Sequence, residues 1–106
     1  LCDKDPFVLK YSADLSAMFP HAKFLLLIRD ARAVLHSIMT RQVTITGFSL
    51  TAFRQNLKLW NQGIEKMVDQ CLQLTQKKCM MVYYEQLVLQ PTVTIQNILQ
   101  FLNLSW

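Results

Sequence analysis

Phe24-Leu25-Leu26-Leu27-Ile28-Arg29-Asp30 is the stretch that decides the fold. Five apolar residues with no polar alternation are the mark of a strand covered on both faces, as in a parallel sheet. Arg29 closes that run, and Asp30 is a helix N-cap candidate. The spacing predicts a strand over 23–29 and a helix over 31–41. In that helix Ala33, Val34, Leu35, Ile38 and Met39 cover most of the circumference, which predicts a largely buried helix. A second run, Cys-Met-Met-Val-Tyr-Tyr at 79–84, reads as a second buried strand.

Working outward, Asp5-Pro6 marks a turn and residues 7–9 read as a short strand edge. Residues 12–19 read as a short helix with Ser12 as its N-cap, stopped by Pro20. A Thr-rich loop over 42–49 breaks at Gly47. Phe53, Leu57, Trp60, Ile64, Met67, Cys71 and Leu74 step by three or four, predicting a long amphipathic helix over 50–76. Lys77-Lys78 suits the C-terminal dipole end of that helix. Residues 85–89 lead out of the second strand. Pro91 fits a first helical turn, and Ile95, Ile98, Leu99 and Leu102 give a last helix. Buried strands separated by helices imply an α/β fold: a parallel sheet flanked by helices.

Composition limits the function. The chain has 106 residues, 52% of them hydrophobic and 17% charged, which excludes disorder as the main state. No apolar run approaches the roughly 20 residues of a membrane-spanning helix. Two glycines exclude a glycine-rich phosphate loop within these residues. Eleven Lys and Arg against seven Asp and Glu give a mild positive charge. That balance favours an anionic ligand, but no basic run exceeds Lys77-Lys78 and no aromatic-plus-basic repeat suggests nucleic acid. The chain opens at Leu1 rather than Met, and its charged fraction is low. Both predict a segment of a longer protein, with surfaces covered by what is missing.

The three cysteines, Cys2, Cys71 and Cys79, form no Cys-x-x-Cys pair, and with only two His no zinc site is expected. Two readings stand: three buried free thiols, or a Cys71–Cys79 bridge that leaves Cys2 odd.

Ligands of open parallel sheets bind beyond the carboxyl ends of the strands. The first end carries Arg29 and Asp30, the second Tyr83, Tyr84 and Glu85. Ser37 and Arg41 lie four apart and share one helix face. Two guanidiniums and a hydroxyl suit a phosphate, because each planar fork donates two parallel hydrogen bonds. The competing reading is an Arg29–Asp30 or Arg32–Asp30 ion pair, with Ser37 bonded back to the preceding turn. Tyr84 reads either as a nucleotide contact or as a core aromatic. His36 reads as a packed, hydrogen-bonded histidine. Lys4 reads as a solvated cation or as one aimed at a ligand oxygen.

These residues resemble a known family. Lys-Phe-Leu-Leu-Leu-Ile-Arg-Asp-Ala-Arg-Ala-Val-Leu-His-Ser, residues 23–37, resembles the strand–helix motif by which sulfotransferases bind the 3′-phosphate of 3′-phosphoadenosine 5′-phosphosulfate. Leu-Cys-Asp-Lys-Asp-Pro-Phe at 1–7, Val-Thr-Ile-Thr-Gly-Phe at 43–48 and Val-Tyr-Tyr-Glu-Gln-Leu-Val-Leu at 82–89 are similar to the protein-tyrosine sulfotransferases. The resemblance runs over essentially the whole chain. It implies a P-loop-like sulfotransferase fold, present in part. Residues 1–106 would be the central part of the catalytic domain, with the phosphosulfate loop and the base, a glutamate, upstream and further nucleotide contacts downstream.

By the same resemblance Arg29 and Ser37 hold the 3′-phosphate, Arg41 supports it and Tyr84 contributes to the nucleotide pocket. Lys4 stabilises charge on the transferred sulfuryl group. Thr44 and Thr46, in the loop after the phosphate-binding helix, read first as a solvated loop and second as residues facing the acceptor peptide. Cys71 and Cys79 match a family disulfide, and Cys2 one whose partner lies outside the chain. The implied setting is a membrane-anchored, homodimeric Golgi enzyme with a lumenal catalytic domain, acting on acidic tyrosine-containing proteins without a metal. Two positions depart from the pattern: Ala31 stands where the family usually has Gly, and Asp3 where Asn is common, weakening the field of Lys4. The alternatives are a sulfotransferase for carbohydrate or small molecules, favoured by an upstream catalytic His, and a truncated paralogue serving as a binding or dimerisation module. Asn103-Leu104-Ser105 is a glycosylation sequon by pattern, placed after a helix that reads as buried.

Overall fold

The structure, a computed structural model, describes residues 2–106; Leu1, the first residue of the 1–7 stretch, lies outside them. A 3-10 helix (Val8–Tyr11) leads into α1 (Ser12–Met18), β1 (Phe24–Ile28), α2 (Ala31–Thr40), α3 (Phe53–Gln73), β2 (Cys79–Tyr83), α4 (Tyr84–Leu89) and α5 (Pro91–Leu102). β1 and β2 pair in parallel, with Phe24 opposite Cys79 and Ile28 opposite Tyr83. The expected α/β architecture, a parallel sheet flanked by helices, is present.

Leu9, Phe24, Leu26, Met67, Cys71 and Cys79 make the core on one face of the sheet. Burial of Phe24 and Leu26 is worth about 1.5–3 kcal/mol each. On the other face Val82 is buried, but Leu25 and Met80 are half-buried and Leu27 is 54% exposed. Burial of the 23–29 run on both faces is therefore incomplete in this chain.

Other expectations need correction too. Residues 7–9 are not a strand edge, because Val8–Tyr11 coils into a 3-10 helix that runs directly into α1. That continuity prevents Ser12 from capping. Its N–H already bonds the Leu9 carbonyl and its backbone is helical (φ −63°, ψ −29°), whereas an N-cap needs extended dihedrals. Gln70 of α3 supplies an acceptor instead, its Oε1 taking the Ala13 N–H at 3.2 Å. The hydroxyl of Ser12 is buried without a partner among the described residues.

Phe7 packs against α3 at Gly63, where an added Cβ would lie 3.0 Å from the ring, so a larger residue would need the ring to shift by a few tenths of an ångström. The helix expected over 50–76 is shorter at both ends. Ser49 Oγ accepts from the Thr51 and Ala52 N–H groups, holding the entry in a turn. Fully buried Asn56 donates to the Ser49 carbonyl and accepts its N–H, locking the loop onto α3. At the other end Leu74 is extended, so Lys77-Lys78 falls in the following turn rather than on the helix terminus. Lys78 Nζ reaches Ser16 Oγ at 2.9 Å.

Cys71 and Cys79 form a disulfide with Cα atoms 5.5 Å apart, tying α3 to the entry of β2. Closing a loop of that length, eight residues in separation, removes denatured-chain entropy worth about 2–3 kcal/mol. Reduction is expected to lower the unfolding free energy of the full-length protein by that amount in urea titration. An unchanged midpoint in reductant would mean that the bond does not staple this fold.

Candidate functional site

The sheet register builds the site. One residue beyond the Ile28–Tyr83 pair, Arg29 and Tyr84 leave the two strands side by side. The Arg29 guanidinium carbon lies 4.5 Å from the centroid of the Tyr84 ring, a cation–π contact. One residue further, the Asp30 N–H donates to Glu85 Oε1 at 3.0 Å, latching the two strand exits together.

Asp30 also starts α2. Its Oδ1 accepts from the Arg32 N–H at 2.8 Å, satisfying one of the orphan donors of the helix N-terminus. Its Oδ2 pairs with Arg32 Nη2 at 2.7 Å. The Arg32 side chain, then its backbone N–H, holds the Asp30 carboxyl down at about 2, and the same pair raises Arg32. A lowered carboxylate stabilises the fold above its ordinary pKa and loses that contribution only as pH falls toward 2, so this pair stays ionised at neutral pH. The two side chains are 40% and 82% exposed, so the pair adds little stability. Its effect is on charge placement: the Asp30 carboxylate goes to Arg32, and Arg29 has no ion-pair partner among the described residues.

The following helix presents Ala33, His36, Ser37, Thr40 and Arg41 at intervals of three and four, hence along one face. With Arg29 and Tyr84 they line a cavity of about 540 Å³. Arg29, Ser37, Arg41 and Tyr84 are thus brought together. Of the competing ion pairs only Arg32–Asp30 forms. The hydroxyl that bonds back to the preceding turn is that of Thr40, onto the His36 carbonyl, and not that of Ser37. Among the described residues Ser37 Oγ has no hydrogen bond, which leaves its proton free to donate. Two guanidiniums and one hydroxyl, with no carboxylate in the lining, suit an anion with several acceptor oxygens.

An adjoining cavity of about 330 Å³ shares Arg29, Ala33 and Tyr84, then continues along Glu85, Val88 and Leu89 of α4. Polar and apolar halves therefore meet at Tyr84. A phosphate in the first half and a flat apolar ring in the second fit that division.

Other candidates lie apart. Lys4, Thr44 and Cys2 are exposed and line neither cavity. Cys2 is a free thiol here. Among the described residues no three His, Cys, Asp or Glu side chains gather to hold a metal. No helix among them is long and apolar enough to cross a membrane.

Two sequence expectations about α2, a largely buried helix and a packed His36, fail. Only Leu35 of the helix is fully buried, with Val34, Ile38 and Met39 half-buried, and His36 is exposed with no side-chain hydrogen bond among the described residues, on the face that opens onto the cavity. His36 and Thr40 were missed as lining residues. The spacing that joins Ser37 to Arg41, extended to 33, 36 and 40, carries the signal.

Comparison with known proteins adds identity to this geometry. Residues 1–106 match the family model described as "Sulfotransferase family". The whole chain is 53% identical to "Protein-tyrosine sulfotransferase 2" of Gallus gallus, covering 29% of that protein. It is 52% identical to "Protein-tyrosine sulfotransferase A" of Caenorhabditis elegans, covering 28%. It is likewise 52% identical to "Protein-tyrosine sulfotransferase 1" of Homo sapiens, covering 29%. The chain thus spans less than a third of the length of these curated relatives. Among solved structures it is similar to the "Sulfotransferase Domain from the Curacin Biosynthetic Pathway", with a TM-score of 0.69. That match covers 96% of this chain and 36% of the other, and at 22% identity it concerns the fold alone.

The latch between the strand exits is directly measurable. Glu85→Ala removes the acceptor of the Asp30 N–H, so amide exchange at Asp30 is expected to accelerate roughly fivefold, for a hydrogen bond worth about 1 kcal/mol. Glu85→Gln keeps an acceptor oxygen and is expected to keep most of the protection. Unchanged exchange in Glu85→Ala would show that the bond is not held in solution.

Proposed function

The chain belongs to the sulfotransferase family, and from that premise we propose that it is the nucleotide-binding centre of a protein-tyrosine sulfotransferase. The parent enzyme moves a sulfuryl group from 3′-phosphoadenosine 5′-phosphosulfate to tyrosine hydroxyls in acidic segments of secreted or membrane proteins. Support comes from the identity, 52–53% over the whole chain, to proteins bearing that name. The observation that carries the reading is the gathering of Arg29, Ser37 and Arg41 around one cavity free of carboxylates.

The residues fit the co-substrate. Arg29 and Arg41 are guanidiniums with no ion pair among the described residues, and Ser37 has a hydroxyl proton to spare. Together they hold the 3′-phosphate. Tyr84 braces Arg29 with its ring face and borders the apolar cavity, which takes the purine. The co-substrate supplies the activated sulfuryl group. What this chain contributes is position: an anion fixed at Arg29 sets where the other end of the nucleotide lies.

A tyrosine hydroxyl, with a pKa near 10, needs a general base to react at neutral pH. We assign that base, and the loop cradling the 5′-phosphosulfate, to the part of the protein outside these 106 residues. Lys4 is the cation offered to the charge that builds up during transfer. Thr44 faces the acceptor peptide. The Cys71–Cys79 bond agrees with an oxidising lumen, here assigned to the Golgi, where Cys2 takes a partner outside this chain. The membrane anchor and the homodimer contacts belong to the full-length protein.

Two arginines separate this reading from a bland one. In the full-length protein Arg29→Ala is expected to raise the Kd for adenosine 3′,5′-bisphosphate at least tenfold, the loss of charge-assisted hydrogen bonds worth about 1.5–3 kcal/mol. Arg32→Ala, at a side chain already paired with Asp30, is expected to stay within about twofold. Calorimetric titration reads both. A tight Arg29→Ala variant beside a weak Arg32→Ala variant would place the anion elsewhere.

A further inference from the structure

We propose that Glu85 is a positioning residue for the nucleotide, acting through Arg29. The inference rests on the reading of Arg29 as a holder of the 3′-phosphate. The β1–β2 ladder ends at the Ile28–Tyr83 pair. The next N–H along β1, in the peptide unit joining Arg29 to Asp30, therefore has no strand partner. Glu85 Oε1 accepts that N–H at 3.0 Å. The bond fixes the plane of this peptide, and with it the ψ torsion of Arg29. It thereby sets the point from which the guanidinium leaves for the Tyr84 ring, 4.5 Å from its centroid.

Helix capping explains why a residue of the other strand does this. Asp30 is the N-cap of α2, with φ −49° and ψ 124°, and turns the chain from strand to helix. In a capping box the N–H of the N-cap residue is taken by a Glu or Gln at the third helical position. That position here is Ala33, which has no acceptor to offer. Ala33 lines both cavities. A glutamate there would close the box locally, but its carboxylate would stand among the groups lining the anion cavity. Glu85 completes the cap without that conflict, because it borders the apolar cavity and not the one lined by Ser37 and Arg41.

Donor and acceptor both belong to this chain, and neither has to be reached from outside. Glu85 lies in the first turn of α4, where the helix dipole favours a carboxylate. Two adjacent residues thus make both contacts to the exit of β1: the Tyr84 ring against the Arg29 guanidinium, and the Glu85 carboxylate on the N–H that follows. Without the carboxylate, the peptide at 29–30 turns more freely and the guanidinium has to be ordered by the anion itself, which weakens binding of the 3′-phosphate.

The test titrates the full-length protein calorimetrically with adenosine 3′,5′-bisphosphate and with adenosine 5′-phosphate, which lacks the group that Arg29 holds. Glu85→Ala is expected to raise the Kd for the bisphosphate about fivefold, the worth of one hydrogen bond, and the Kd for the 5′-phosphate by less than about twofold. Glu85→Gln, which keeps an acceptor oxygen, is expected to keep the unmodified affinity. Glu85→Asp keeps the charge but falls a carbon short; it is expected to follow Glu85→Ala, and it carries the test should Glu85→Ala fail to fold. In an Arg29→Ala background Glu85→Ala is expected to cost nothing further, because its effect runs through that guanidinium. Undiminished bisphosphate binding in Glu85→Ala or Glu85→Asp, beside a weakened Arg29→Ala, overturns the positioning role and leaves the anion site standing. Undiminished binding in Arg29→Ala overturns the site and the inference together. Equal losses for the two nucleotides, a loss that adds in full to that of Arg29→Ala, or a Glu85→Gln variant as weak as Glu85→Ala also overturns the inference.

Discussion

The parallel pairing of Phe24–Ile28 with Cys79–Tyr83 is the constraint on which the rest depends. Side chains alternate along a strand, so a slip of one residue would turn every inward residue outward. Phe24 and Leu26 of β1 and Cys79 of β2 all enter one core, which fixes the register through burial. The Cys71–Cys79 bond fixes it again at the entry of β2. With Ile28 held opposite Tyr83, Arg29 has to emerge beside Tyr84, and Asp30 beside Glu85. A core formed by apolar residues thus determines the placement of a polar site that contributes nothing to it.

Charge is then divided within a few residues. Asp30 could have neutralised either neighbouring arginine. Its role as N-cap turns its carboxylate toward the first turn of α2, where Arg32 supplies both the N–H and the guanidinium. Arg29 is left against an aromatic face, and Arg41 stands at the far end of the same helix. Like charges lining one cavity repel mildly while they are hydrated. In the proposed site, an anion entering between them would relieve that repulsion and gain charge-assisted hydrogen bonds, without first breaking an ion pair.

Much of the framework was legible because it depends on local chemistry. Unalternated apolar runs marked both strands, Pro91 marked the start of α5, and Asp30 marked the start of α2. The grouping of Arg29, Ser37, Arg41 and Tyr84 followed from strand ends and helical spacing. What was not legible depends on contacts distant in sequence. Ser12 lost its capping role to a preceding 3-10 helix, and Gln70, 57 residues from Ala13, stands in. The start of α3 was decided by Asn56 reaching back to Ser49, a contact the apolar stripe does not encode. His36 was misplaced because an apolar-looking helix suggests burial all round, whereas this one gives a face to a cavity.

The central claim is that the side chains at 29, 37 and 41 converge on one anion. A crystal structure of the full-length protein with adenosine 3′,5′-bisphosphate tests it most directly. The account predicts 3′-phosphate oxygens within about 3 Å of the Arg29 guanidinium, the Ser37 hydroxyl and the Arg41 guanidinium, with the purine beside Tyr84. A 3′-phosphate bound away from Arg29, with that guanidinium still resting on Tyr84 and touching nothing of the nucleotide, would contradict it.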